Sequence, residues 1–172
     1  MEANASHRSR VKVWLLGVLT LLGLTLGGVI VAYPVSAAPP VNYMYKNVGT
    51  QYCLDGGAGG DVYTNPCNSK NGFQRWDTAW GPDKPGTIVL QGQATSRRLQ
   101  AHRNTFRKWD WSVDTTDVRN ARDSNQQWYW TKEPLGYVMK NVSNNECLEA
   151  TTKQDLVTSQ CDPNNRDQHW VR

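Results

Sequence analysis

Beyond residue 40 the chain has no stretch in which apolar residues recur every 3.6 positions, which excludes an architecture built on amphipathic helices. Cysteine is restricted to Cys53, Cys67, Cys147 and Cys161, and no two of them form a C-x-x-C pair. Histidine is scarcer still. After the first forty residues only His102 and His169 occur, neither at metal-ligand spacing from a cysteine, so a zinc site is not expected. There is no Gly-x-Ser-x-Gly elbow, no His-Glu-x-x-His and no cysteine beside a histidine with an orienting partner, so nucleophilic catalysis lacks its activating groups. No pair of carboxylates is marked out for glycosidase chemistry either. The expectation is a non-enzymatic protein without cofactors. A one-signed charge is also missing: from Ala38 onward there are 16 Lys and Arg against 14 Asp and Glu, interspersed, a balance near +2. Nucleic acid is therefore not an expected partner.

What the sequence does have begins with an export signal. Arg8, Arg10 and Lys12 precede an apolar run from Val13 to Ala32, and Val35-Ser36-Ala37-Ala38 supplies small residues after Pro34. That order reads as a signal peptide over 1–37, followed by a linker over 38–42 and a secreted domain over 43–172. The alternative is a retained membrane anchor, since about twenty apolar residues can span a bilayer. Membrane association is expected only in that case. An even number of cysteines, all after residue 37, agrees with an oxidising compartment.

The decisive feature is an internal repeat. Tyr45-Lys46-Asn47-Val48 recurs as Met139-Lys140-Asn141-Val142 and Cys53-Leu54-Asp55 as Cys147-Leu148-Glu149, both at an offset of 94. The same offset carries Cys67 onto Cys161, Gln74 onto Gln168 and Trp76 onto Trp170. A third copy lies between them, where Gln126-Gln127-Trp128 matches the other two Gln-x-Trp triplets. Short Val, Leu, Tyr and Trp runs broken by Gly, Asn, Asp and Pro make the units all-β. In Gln-x-Trp the strand alternation sends Gln and Trp to one face, so three Trp can share a core that no single unit could close. Three units are too few for a propeller.

These repeats resemble the ricin B-type lectin family, whose fold is a β-trefoil with pseudo-threefold symmetry. The resemblance covers about Tyr43 to Arg172, in lobes near 43–80, 81–130 and 131–172. It implies a carbohydrate-binding module. The repeat selects disulfides Cys53–Cys67 and Cys147–Cys161, both 14 residues apart. In the middle lobe Arg98 and Trp111 stand where the two cysteines would fall, and an insertion of about eight residues is expected between Trp111 and Gln126.

By resemblance, each lobe offers one shallow sugar pocket: an acid two residues after the first Cys, an aromatic two before the second, and an Asn before Gln-x-Trp. In the first lobe Asp55 supplies the acid, Asn65 stands at the aromatic position, Phe73 replaces the Asn, and Tyr63 could contribute the ring. Asp55 could equally be a turn or capping residue ahead of Gly56-Gly57. In the middle lobe Trp109 and Asn125 match, and Gln100 replaces the acid, with Asp110 close by. The third lobe keeps Glu149 but has Ser159 and Asp167 in the other two places, which ranks it last. Trp80 and Trp130 are expected in the core or between lobes. A protein-interaction subunit of a secreted toxin or extracellular assembly is the alternative function, with a protein partner in place of sugar. In a eukaryotic source Asn141-Val142-Ser143 would be a glycosylation candidate.

Overall fold

The computed structural model describes residues 42–103, 111–117, 123–152 and 154–172. Among these residues there are twelve strands: β1 Lys46–Asn47, β2 Cys53–Gly56, β3 Val62–Asn65, β4 Trp76–Trp80, β5 Thr87–Gly92, β6 Arg98–Arg103, β7 Trp111–Thr116, β8 Trp128–Glu133, β9 Gly136–Asn141, β10 Cys147–Ala150, β11 Leu156–Ser159 and β12 His169–Val171. Short 3-10 turns over Gly72–Gln74, Ser124–Gln126 and Arg166–Gln168 precede β4, β8 and β12.

Six strands, in the order β4-β5-β8-β9-β12-β1, form a barrel. It closes through a reciprocal pair of backbone hydrogen bonds between Tyr43 and Trp76, both 3.0 Å. The remaining strands pair as three hairpins, β2–β3, β6–β7 and β10–β11. Each hairpin continues from a barrel strand in one register, Lys46 opposite Cys53, Gln91 opposite Arg98 and Lys140 opposite Cys147. The turns between them carry Gln51, Ser96 and Asn145 in the left-handed region, at φ 64°, 56° and 62°. The hairpins also bind one another: Thr115 N–H donates to Gly60 O at 2.7 Å and Thr64 N–H to Gln154 O at 2.8 Å. The result is a β-trefoil.

The core lies where barrel and hairpins meet. Trp76, Trp128 and Trp170 are fully buried in one cluster with Leu54, Leu99 and Leu148. Each indole N–H donates to one of those leucine carbonyls, Trp76 to Leu54 at 3.1 Å, Trp128 to Leu99 at 3.3 Å and Trp170 to Leu148 at 3.2 Å. The disulfides Cys53–Cys67 and Cys147–Cys161 are formed, with Cα atoms 5.0 and 5.1 Å apart.

The middle hairpin corrects the sequence alignment. Arg98 pairs with Thr116 as Cys53 pairs with Asn65 and Cys147 with Ser159, so Arg98 does take the first cysteine's place. Trp111 does not take the second. It pairs with Arg103 at the far end of the hairpin, and the second cysteine's equivalent falls two residues beyond Thr116, outside the described residues. Arg98 to Thr116 spans 18 positions against 12 in the other lobes, so the extra residues lie within the hairpin, not after Trp111. The physical reason is the ladder: Leu99 must stay in the core opposite Thr115, which fixes pairing whatever the length of the connection. Trp80 is also corrected, being 39% exposed at the end of β4.

Replacing Trp128 by Phe should cost about 2–4 kcal/mol, from a lost ring volume and an orphaned Leu99 carbonyl, whereas Trp80→Phe should stay within about 0.5 kcal/mol. Urea titration followed by circular dichroism measures both. Replacing Cys147 and Cys161 by Ser should cost about 3 kcal/mol, read in the same titration, since each bridge closes a loop of about fifteen residues.

Candidate functional site

Each lobe builds a polar cup where its hairpin meets its 3-10 turn. The turns are capped alike: the side chains of Asn71, Asp123 and Asn165 accept from the backbone N–H of Phe73, Asn125 and Asp167 at 3.0, 2.9 and 3.0 Å. Capping in this way turns Gln74, Gln126 and Gln168 inward, where all three are buried. Gln74 Oε1 accepts from Asn68 N–H and Gln168 Oε1 from Asp162 N–H, both at 2.8 Å. Among the described residues no donor reaches Gln126 Oε1.

In the first lobe Asp55 sits on strand β2 and is only 2% exposed, so it is neither a turn nor a capping residue. One carboxylate oxygen accepts from Asn65 at 3.3 Å, Asn71 at 3.0 Å and Gln74 at 3.1 Å. Three amide donors offset the desolvation of a buried anion. Tyr63 lies directly across the ladder from Asp55 on the same face and is half-buried. Its hydroxyl is pushed above the usual tyrosine range by desolvation, with the Asp55 and Asp61 carboxylates adding to the effect. Phe73, 37% exposed, is the middle residue of the first 3-10 turn. The structure thus brings Asp55, Tyr63 and Asn65 together.

The third lobe repeats the cup with a longer acid. Oε2 of Glu149 accepts from Ser159 Oγ, from Asn165 Nδ2 at 3.1 Å and from Gln168 Nε2 at 3.0 Å. Glu149 is half-buried, and no donor reaches its other oxygen among the described residues. A cavity of about 480 Å³ opens here, lined by Glu149, Ser159, Asp162, Pro163, Asn165 and Gln168 among others. This lobe, ranked last on sequence, carries a shallow, open depression beside Glu149.

The middle lobe departs from both. Gln100 donates to Asp114 at 2.8 Å, and Asp114 lies 3.5 Å from His102 Nδ1. Burial raises the Asp114 carboxyl above its ordinary range, against the lowering effect of Gln100, His102 and Arg97. The ladder places Thr116, not Trp109, at the position equivalent to Asn65 and Ser159. Trp109 and Asp110 lie outside the described residues. Asn125 is half-buried on the 3-10 turn, and its carbonyl accepts from Asn141 Nδ2 at 2.8 Å. That bond, with complete burial of Asn141, closes the Asn-Val-Ser triplet to modification in the folded domain.

Sequence reasoning passed over Asn71, Asn165 and Asp114. The first two had a signal, because the third residue before each Gln of Gln-x-Trp is Asn, Asp or Asn. Asp114 had none, since its partnership with Gln100 depends on the hairpin register. Among the described residues no group of three or more His, Cys, Asp or Glu is placed to hold a metal ion.

Comparison with known proteins gives the fold a family. The solved structures that resemble the domain include ThreeFoil, a designed threefold-symmetric protein, at TM-score 0.62 and 16% identity, covering 75% of this chain and 95% of that one. SeviL, solved with asialo-GM1 saccharide bound, matches at TM-score 0.60 and 16% identity over 76% and 94% of the two chains. A mosquitocidal holotoxin matches at TM-score 0.63 and 19% identity over 76% of this chain but 16% of its own. No curated protein matches the sequence. The model of the ricin-type beta-trefoil lectin domain matches residues 42–170, and the chain therefore belongs to that family.

Proposed function

We propose that this protein is a secreted, non-catalytic carbohydrate-binding module. The observation that carries the reading is Glu149: one oxygen is fixed by three donors, the other is uncommitted, and the group lines a cavity of about 480 Å³. A carboxylate held in this way is a preorganised acceptor for a sugar hydroxyl pair. Asp55, Tyr63 and Asn65 form the proposed first-lobe site, where the Tyr63 ring offers a face for the apolar side of a sugar. Trp109, Asp110 and Asn125 are proposed for the middle lobe on the sequence alone.

Two disulfides suit an oxidising compartment, and the expected signal peptide would deliver the domain there. Among the described residues no helix is long and apolar enough to cross a membrane. A role as non-catalytic subunit of a larger secreted assembly is the second reading, favoured by the holotoxin, in which a domain of this fold is part of a much longer chain.

A shallow cup buries little area, so a single lobe binds weakly and retention on a polymer depends on two lobes engaging together. Glu149→Gln, which keeps the shape and the acceptor for Ser159, should weaken retention on an immobilised glycan several-fold. Adding Tyr63→Ala should lower it at least tenfold, with the melting temperature nearly unchanged. Full retention by the double variant in affinity chromatography would place the sugar elsewhere.

A further inference from the structure

The two disulfides are placed to do more than staple the chain. Each joins a buried cysteine at the start of its hairpin, Cys53 or Cys147, to a more accessible one just past the hairpin's second strand, the exposed Cys67 or the half-buried Cys161. The residues on either side of that second cysteine clamp the amide of Gln-x-Trp. Beside Cys67, Pro66 O accepts from Gln74 Nε2 at 3.1 Å and Asn68 N–H donates to Gln74 Oε1 at 2.8 Å. Beside Cys161, Gln160 O accepts from Gln168 Nε2 at 2.9 Å and Asp162 N–H donates to Gln168 Oε1 at 2.8 Å. All four flanking residues are exposed, so packing does little to hold them, and the covalent link fixes their backbone.

The clamped amide in turn holds the acid of the cup. Gln74 Nε2 donates to Asp55 Oδ2 at 3.1 Å, and Gln168 Nε2 donates to Glu149 Oε2 at 3.0 Å. A continuous set of contacts therefore runs from the bridge, through backbone and amide, to the carboxylate. The middle lobe provides an internal comparison. Arg98 takes the first cysteine's place, both bridges belong to the outer lobes, and among the described residues Gln126 Oε1 is buried without a donor. Gln74, Gln126 and Gln168 are equally buried, so burial alone does not make the difference.

We infer that each disulfide is a redox-sensitive lock on its own cup, a regulation that rests on the carbohydrate reading of those cups. A dithiol supplies the opening step. Its thiolate attacks the sulfur of Cys67 or Cys161, the S–S bond breaks, and the buried partner leaves as a thiolate that takes up a proton. The second thiol of the reagent then displaces Cys67 or Cys161 and closes a cyclic disulfide, so two electrons pass to the protein and two protein thiols remain. The freed segment releases the amide, and the acid loses a fixed donor. The indole bonds of Trp76 and Trp170 to Leu54 and Leu148 do not involve the bridge and stay made. An oxidising compartment sets the cup, and a reducing one leaves it loose.

Hydrogen exchange at the side-chain amides of Gln74 and Gln168, followed by nuclear magnetic resonance, reads the lock without any sugar. With Cys147→Ala and Cys161→Ala together, the Gln168 amide should exchange roughly tenfold faster or more while Gln74 keeps its rate. Cys53→Ala with Cys67→Ala should do the reverse. The two pairs close loops of equal length, so a general loosening of the fold would speed both amides in both variants. Retention on an immobilised glycan should fall several-fold when the wild type is treated with dithiothreitol and return on reoxidation. If the oxidised protein is retained on no glycan, the sugar reading falls while amide exchange still decides the lock. Unchanged Gln168 exchange in the first variant, faster exchange of both amides in either variant, collapse of the near-ultraviolet tryptophan signal, or glycan retention indifferent to reduction would each overturn the inference.

Discussion

Three indole N–H groups buried in a dry core must each find an acceptor, and this requirement organises the molecule. The acceptor is always the carbonyl of the leucine that follows the first hairpin residue, Leu54, Leu99 or Leu148. A hydrogen-bonded indole fixes both the position and the rotation of its ring, so each tryptophan ties its barrel strand to its own lobe's hairpin. Packing the three together then sets the lobes about one axis. The hairpins add to this by binding one another through backbone and threonine hydrogen bonds and by contributing Val62, Ala101, Ala150 and Leu156 to the same core.

The cups are a by-product of the same geometry. Gln of Gln-x-Trp is two residues from the core ring and must turn inward with it, so its amide needs partners beneath the surface. In the outer lobes an acid on β2 or β10 meets that need, Asp55 accepting from Gln74 and Glu149 from Gln168, and the Asn cap donates to the same acid, Asn71 to Asp55 and Asn165 to Glu149. In the middle lobe both are exchanged: Gln100 stands for the acid and Asp123 for the Asn. The amide and acid types are exchanged between the two positions, and the carboxylate on the hairpin face stands across the ladder at Asp114, which accepts from Gln100. The middle lobe is thus chemically distinct, and not merely one that has lost a bridge.

Much of this was legible in the residues. Gln-x-Trp repeated three times with matched cysteine spacing carried the fold, the disulfides and the core tryptophans, because each expresses a constraint local to one lobe. The middle hairpin was not legible. Its register depends on Leu99 reaching the core, and a count back from Gln-x-Trp cannot see how many residues the hairpin itself contains. A ranking by family pattern does not register the depression beside Glu149, because residues outside that pattern, Asp162, Pro163 and Asn165 among them, line it. Trp80 shows the limit of composition: its place at the end of β4, on the barrel's rim, decides its exposure, not its hydrophobicity.

β1 and β12 are neighbours in the barrel, with Lys46 opposite Val171 and Asn47 opposite Trp170. The first and last strands of the domain therefore leave from the same rim, close enough for a short peptide to join them. New ends could be opened in the exposed turn between β4 and β5 without cutting a core strand, and the order of lobes along the polypeptide would change while the barrel stayed whole. For such a molecule, which lobe comes first is an accident of where the chain was cut.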